Sequence, residues 1–250
     1  MGLLPDYVNQ AQTYDRTRSA SPSVLAPLRK ALDGAPGRLL ADIGGGTGNY
    51  SAALRAAGWE PLTIDATEAM LGRAKAKGLP TLCCDAQDLQ LEDASFDAAM
   101  LISMLHHLDD PAGALNEARR ILRPEGRMAV MTYTREDIAD LWMLDYFPAS
   151  RDWMIETHLP LEAITAQLPG AIRLEVRFDD LEDASLAALA SHPDLVLDPQ
   201  WRRQTSYFER LERDHPDELQ SGLERLRREI ESGRGPERPG RASMIAWANA

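Results

Sequence analysis

The chain has 250 residues, 44% of them hydrophobic, and a formal net charge of −12. That length and apolar content support one sizeable core and exclude disorder as the default. The acidic balance disfavours nucleic acid as a partner, because its binders carry a basic face. No apolar run approaches the ~20 residues that span a bilayer, and MGLLPDYVNQ at the start has neither a basic leader nor a long apolar stretch. The basic residues Arg225, Arg227 and Arg228 are interleaved with Glu224, Glu229 and Glu231, the pattern of a solvated helix face. Cys83 and Cys84 are adjacent in an apolar run and cannot frame disulfides. They read as thiols in or beside a buried strand, in a reducing, cytoplasmic setting.

In chain order, residues 6–20 read as polar helix with Tyr7 and Tyr14. Val24, Leu25, Leu28 and Leu32 then recur at helical spacing until the break at 34–37. Strands and helices alternate from there. RLLADI (38–43) predicts a buried strand, 49–57 a helix stopped by Gly58, 61–64 a strand, and 67–77 a helix stopped by Gly78. A third strand falls at 79–84, a fourth at 96–102 (FDAAMLI), and a helix at 111–122 begins on a proline that costs no N–H. Residues 123–126 (RPEG) read as a turn and 127–132 as a fifth strand. This rhythm argues for a parallel sheet with helices on both faces, binding its ligand at the strands' carboxyl ends.

Past Thr132 the rhythm changes. Residues 133–169 are aromatic-rich, with Tyr133, Trp142, Tyr146, Phe147, Trp153 and His158. Residues 171–178 predict a sixth strand. Residues 181–232 are acidic and mostly helical, with a narrow stripe of Leu219, Leu223, Leu226 and Ile230. A loop follows at 233–240 and a closing strand at 243–248.

The chemistry concentrates just after the first strand, in Asp42-Ile43-Gly44-Gly45-Gly46-Thr47-Gly48. Glycines there let the backbone turn sharply and approach a ligand closely. A glycine loop alone would also serve a dinucleotide. Here, however, the spacing is G-x-G-x-G and not G-x-G-x-x-G. Asp42 precedes it, Asp65 ends the second strand where ribose hydroxyls are reached, and Asp85 follows the third. Three carboxylates at successive strand ends, with no Lys or Arg in the loop, favour a cationic nucleoside over an anionic one.

With these residues the chain resembles the class I S-adenosylmethionine-dependent methyltransferases, in the small-molecule, type 11-like branch. The resemblance rests on DIGGGTG, TIDATEAML, CCDAQDL, FDAAMLISMLHHLDDP and ILRPEGRMAV, and covers about residues 14–132. It implies S-adenosylmethionine as cofactor, held at Gly44, Gly46 and Gly48. Asp42 would orient the loop and the methionine moiety, Asp65 with Ala66 would meet the ribose, and Met70 would line the adenine. Asp85, Ala86 and Gln87 would border the base, the main chain at Ile102 would face the methionine end, and Tyr14 would help close the pocket. His106 or His107, after the fourth strand, would act as base on the acceptor. Adjacent histidines without a spaced partner make a poor metal site, so no metal is expected.

The expected fold is α/β and Rossmann-like: a seven-stranded, mostly parallel sheet flanked by helices, with a helical cap, all in one methyltransferase domain over 1–250. Residues 1–33 would form an N-terminal helical lid, 38–132 the cofactor-binding core, 133–169 and 179–240 the cap insertions, and 243–248 an antiparallel closing strand. Tyr133, Trp142, Tyr146, Phe147 and Trp153 would line an apolar or aromatic small-molecule acceptor. Two competing readings are an S-adenosylmethionine-binding protein that performs another reaction or only scaffolds a partner, and a nicotinamide oxidoreductase. The oxidoreductase is disfavoured by the loop spacing and by the absence of a Tyr-x-x-x-Lys pair.

Overall fold

Short apolar runs buried on both faces build the centre of the sheet, as parallel pairing requires. In the computed structural model, which describes residues 18–182 and 184–249, seven strands form one sheet in the order β3-β2-β1-β4-β5-β7-β6. They are β1 (Leu39–Ile43), β2 (Glu60–Asp65), β3 (Thr81–Cys83), β4 (Phe96–Ile102), β5 (Leu122–Thr132), β6 (Ile172–Arg177) and β7 (Arg241–Ala248). Pairing is parallel from β3 to β5, while β7 runs antiparallel to both β5 and β6. The sheet is therefore mixed, with the single reversed strand that the sequence places last.

Side chains of β4 alternate between the two faces, as the two-residue pleat dictates. Ala99 and Leu101 join Ile43, Ile64 and Val130 on one face, against helices α4 (Pro111–Arg120) and α8 (Leu161–Gln167). Ala98 and Met100 join Leu40, Ala129 and Met244 on the other, against α1 (Pro22–Leu32) and α2 (Asn49–Ala56). Helix α3 (Glu68–Ala76) packs beside β2 and β3. Residues 6–17, read as helical from the sequence, and Tyr14 with them, lie outside the described residues.

A third apolar cluster is separate from the sheet. It joins α5 (Arg135–Ala139), α6 (Met143–Tyr146), α7 (Ser150–Thr157), α9 (Leu186–Ala190), α11 (Ser206–Asp214) and α12 (Pro216–Glu231), with the short α10 (Pro199–Arg202) beside them. Its interior is Ile138, Trp142, Phe147, Leu189, Phe208 and Leu226.

Two sequence expectations are corrected. Residues 123–126 are not a free turn between elements but an excursion inside β5. Phe96 pairs with Leu122 and Ala98 with Arg127, so four residues stand opposite Asp97 alone, and Glu125 takes φ 64°. Asp97 fastens this bulge by accepting from Arg123 Nη1 at 2.7 Å and from the Leu39 N–H at 2.9 Å. The cysteines are also not in a buried strand. β3 is a three-residue edge strand, so Cys83 is exposed and Cys84 half-buried. Among the described residues no helix is long and apolar enough to cross a membrane.

Candidate functional site

The glycine loop joins β1 to α2 at the carboxyl edge of the sheet. Gly44, Gly46 and Gly48 all have positive φ, at 70°, 55° and 74°, which explains glycine at every second position. The protein closes against most of this loop. A Cβ at Gly44 would meet Met104 at 2.9 Å, at Gly45 the Asp42 carboxylate at 2.5 Å, and at Gly48 Leu79 at 2.4 Å. At Gly46 it would meet nothing within 4 Å. Gly46 thus turns its bare backbone to open space between the ends of β1 and β2, as a cradle for a ligand would.

Asp65 stands beside that opening. Its Oδ2 accepts the Gly46 N–H at 2.9 Å and its Oδ1 the Thr67 N–H at 2.8 Å, so one carboxylate fixes both the loop and the start of α3. Two such bonds leave further lone pairs on each oxygen for a ligand's hydroxyls. Ala66 follows, exposed, and Met70 is buried on α3. Lys77 reaches the loop from the end of α3 and donates to the Thr47 carbonyl at 2.9 Å, a contact that the sequence spacing does not announce.

Asp42 has a different position. It is buried beneath the loop and accepts the Ser51 hydroxyl at 2.7 Å, while the Thr63 hydroxyl donates to Ser51 at 3.0 Å. Burial pushes its carboxyl up to about 7; the Ser51 bond opposes the rise and the Asp65 charge adds to it. Asp42 therefore braces the loop from below.

Asp85 is exposed after β3. Its Oδ1 accepts the Gln87 N–H at 2.8 Å and the Gln87 Nε2 at 3.1 Å, and these bonds hold the carboxyl below its usual value. Gln87 Oε1 in turn accepts the Asp110 N–H at 2.9 Å, which ties the β3 loop to the cap of α4. Ala86 is buried in this turn, and Ile102 is half-buried at the end of β4.

After Ile102 the chain bends sharply at Ser103, φ 53°, whose N–H reaches the Met131 carbonyl at 2.8 Å. The bend sets Met104 against Gly44, and a short turn, Leu105–His107, carries His106 and His107 directly after it. Their ring centroids are 3.9 Å apart. A third imidazole, His158 at the end of α7, stacks on His106 at 5.2 Å and 24°. Tyr133, just past β5, meets His158 edge-on at 6.0 Å. Burial depresses all three imidazoles, His107 to about 4 and His106 well below its ordinary value; repulsion from neighbouring imidazoles adds to the effect at His106 and His107, while the Met154 carbonyl and Asp137 oppose it at His158. All three are neutral near pH 7. No group of three or more His, Cys, Asp or Glu among the described residues is arranged to hold a metal.

Three of the aromatics expected to line an acceptor have a different placement. Trp142 is 2% exposed and donates Nε1–H to the Ala190 carbonyl at 2.8 Å. Phe147 is fully buried against Phe208, and the Tyr146 hydroxyl bonds Glu229. These are interior residues of the helical cluster. Packing accounts for them, because this helical layer builds an apolar core of its own. Trp153 is half-buried between Tyr207 and the Arg210 guanidinium, in the same layer. Tyr133 alone of the five reaches the histidine cluster. The residue missed at the sequence level is His158, noted there only as part of an aromatic-rich stretch.

Residues 41–130 match the family described as a methyltransferase domain. That stretch runs from β1 into β5 and makes up about a third of the chain. It is 37% identical over 117 residues to a ubiquinone/menaquinone biosynthesis C-methyltransferase of Acidiphilium cryptum, covering 43% of this chain and 47% of that one. It is 32% identical over 106 residues to a demethylmenaquinone methyltransferase of Corynebacterium kroppenstedtii, covering 42% and 46%. Each match thus spans less than half the length of the curated relative. The fold extends much further than these matches. A putative methyltransferase from an antibiotic biosynthesis pathway of Anabaena variabilis superposes with a TM-score of 0.75 at 24% identity, over 92% of this chain and 98% of that one.

Proposed function

We propose that the chain transfers a methyl group from S-adenosylmethionine to an O, N or C nucleophile of a small aromatic or apolar metabolite. The observation that carries this reading is the open backbone at Gly46 beside the Asp65 carboxylate. Asp65 and Ala66 would take the ribose, Met70 and Ala86 would flank the adenine, and Asp85 with Gln87 would border its edge. Gly44, Gly46 and Gly48 together with Ile102 would receive the methionine end, and Tyr14 would contribute to closure.

The bound cofactor supplies an electrophilic methyl on a good leaving group. What the protein adds is position: acceptor and methyl held at attack distance, an effect that reaches about 7–11 kcal/mol in well-oriented systems. The helices of 133–169 and 179–240 serve in this reading as a cap over the strand ends. A pair of unbridged cysteines, one exposed, fits a reducing compartment such as the cytoplasm.

Calorimetry with S-adenosylhomocysteine and with NAD tests the cofactor, and turnover to S-adenosylhomocysteine across a panel of phenols, amines and carbon acids tests the transfer. Binding of NAD alone would overturn the reading. Binding of S-adenosylhomocysteine without turnover of any acceptor would favour a scaffold or a non-methylating use.

A further inference from the structure

His158 differs from the other imidazoles in having a fixed tautomer. Its Nδ1 lies 2.7 Å from the Met154 carbonyl, an acceptor with no proton to give, so Nδ1 carries the hydrogen. Nε2 is left with a lone pair and no partner among the described residues. His106, stacked on it, has its Nδ1 buried without a hydrogen-bond partner among the described residues. A buried imidazole nitrogen without a partner is costly, and native structures leave such atoms where a ligand or water completes them. The two rings come from different elements, His106 from the turn after β4 and His158 from the end of α7. Tyr133 closes the edge of the pair.

We propose that His106 and His158 form the polar subsite for the acceptor, and that it takes an acidic hydroxyl on an unsaturated carbon, a phenol or enol, whose O–H donates to Nε2 of His158. This inference rests on the methyltransferase reading above. The new C–O bond forms as the methyl–sulfur bond breaks, with the bonding pair leaving on sulfur, and the hydroxyl proton passes to Nε2. The positive charge moves from sulfonium to imidazolium, so the pocket gains no net charge. Neutral imidazoles suit this role, since a protonated ring has no lone pair to accept the hydroxyl. An acceptor-only nitrogen also selects a donor-bearing acceptor over its methylated product, which has no proton to offer.

The test uses para-nitrophenol, para-nitroanisole and para-nitroaniline, titrated onto the full chain with and without S-adenosylhomocysteine. The phenol is expected to bind about tenfold tighter than the anisole, the value of one hydrogen bond. His158→Asn keeps a donor for the Met154 carbonyl and removes Nε2, and should abolish this preference with the melting temperature retained. His106→Gln should weaken the preference. Equal binding of phenol and anisole by the unmodified chain overturns the proposal, as does a preference that survives in folded His158→Asn. Tighter binding of the aniline than of the phenol overturns the hydroxyl class. Nitrogen-15 spectra of the unmodified chain give a check independent of any variant: the His158 Nε2 resonance moves on adding the phenol, and an unmoved resonance refutes the contact. S-adenosylhomocysteine calorimetry on the same samples separates the two readings. Failure to bind it would sink methyl transfer, while the phenol titration without it still reads the histidine pair.

Discussion

Ser51 donates its hydroxyl to Asp42 across 2.7 Å, and this bond joins the first turn of α2 to the end of β1 beneath the glycine loop. It fails to offset the burial of the carboxyl, which rises from its ordinary 3.8 to about 7. In that interval the native protein keeps a proton that the unfolded chain releases, so this group's contribution to stability falls as pH rises from about 4 to 7. Asp42→Asn accepts the same hydroxyl and has no proton to hold. Its stability should therefore rise more with pH across that window than the unmodified protein's does. Urea unfolding at several pH values compares the two, and parallel curves would mean that the carboxyl is not raised.

Gly46 and Gly48 share a left-handed backbone but not an environment. An alanine at either position carries the left-handed penalty of about 1–2 kcal/mol. At Gly48 the new methyl also collides with Leu79, so Gly48→Ala should lower the melting temperature sharply. At Gly46 the methyl enters open space. Gly46→Ala should stay close to the parent in stability, within that strain, and lose most of its affinity for S-adenosylhomocysteine. Equal affinity in a folded Gly46→Ala would remove the ligand from that side of the loop.

Asp65→Ala should weaken cofactor binding by about 2–3 kcal/mol, the range for charge-assisted bonds to hydroxyls. The same carboxylate holds the Gly46 and Thr67 N–H groups, so the loop loosens as well. Asp65→Asn retains an oxygen for one of these bonds and should lose less affinity than the alanine. Calorimetry on both variants measures this, and an unchanged dissociation constant in folded Asp65→Ala would take the residue out of the site.

Trp142 illustrates the difference between a residue that packs a layer and one that reads a ligand. Trp142→Ala removes a fully enclosed ring and should cost about 3–5 kcal/mol of stability. Trp142→Phe strands the Ala190 carbonyl and should cost about 1–3 kcal/mol. Both should bind S-adenosylhomocysteine normally when assayed well below their melting temperatures. A normal melting temperature with a raised acceptor KM would instead return Trp142 to the acceptor.

The order of strands and helices up to Thr132 was legible because each element carries its own local signal. RLLADI and FDAAMLI are short, mainly apolar runs, and the structure pairs them as neighbours at the centre of the sheet. The glycine loop and Asp65 were legible for the same reason, since they follow strands directly. Asp42 was legible as important but not as buried, because its depth depends on Ser51 and Thr63 arriving from two other elements. The bulge at 123–126 reads as an ordinary turn in sequence, since Arg-Pro-Glu-Gly is turn chemistry whether or not a strand continues on both sides. Trp142 and Phe147 misled because aromatic residues serve a helical core and a ligand equally well. His158 was invisible as a site residue: only the docking of α7 brings it against His106, and no spacing in the chain records a contact 52 positions away.

The last strand in sequence is not the last in space. β7 lies between β5 and β6, and within the sheet β6 has no other partner. During synthesis, Ile172–Arg177 therefore emerge from the ribosome with nothing to pair with until residues 241–248 follow. The parallel core can assemble as it is made, because each of its strands finds a neighbour already present. The β6 edge waits for residues 241–248, and through that delay β6 is an open strand available to the wrong chain.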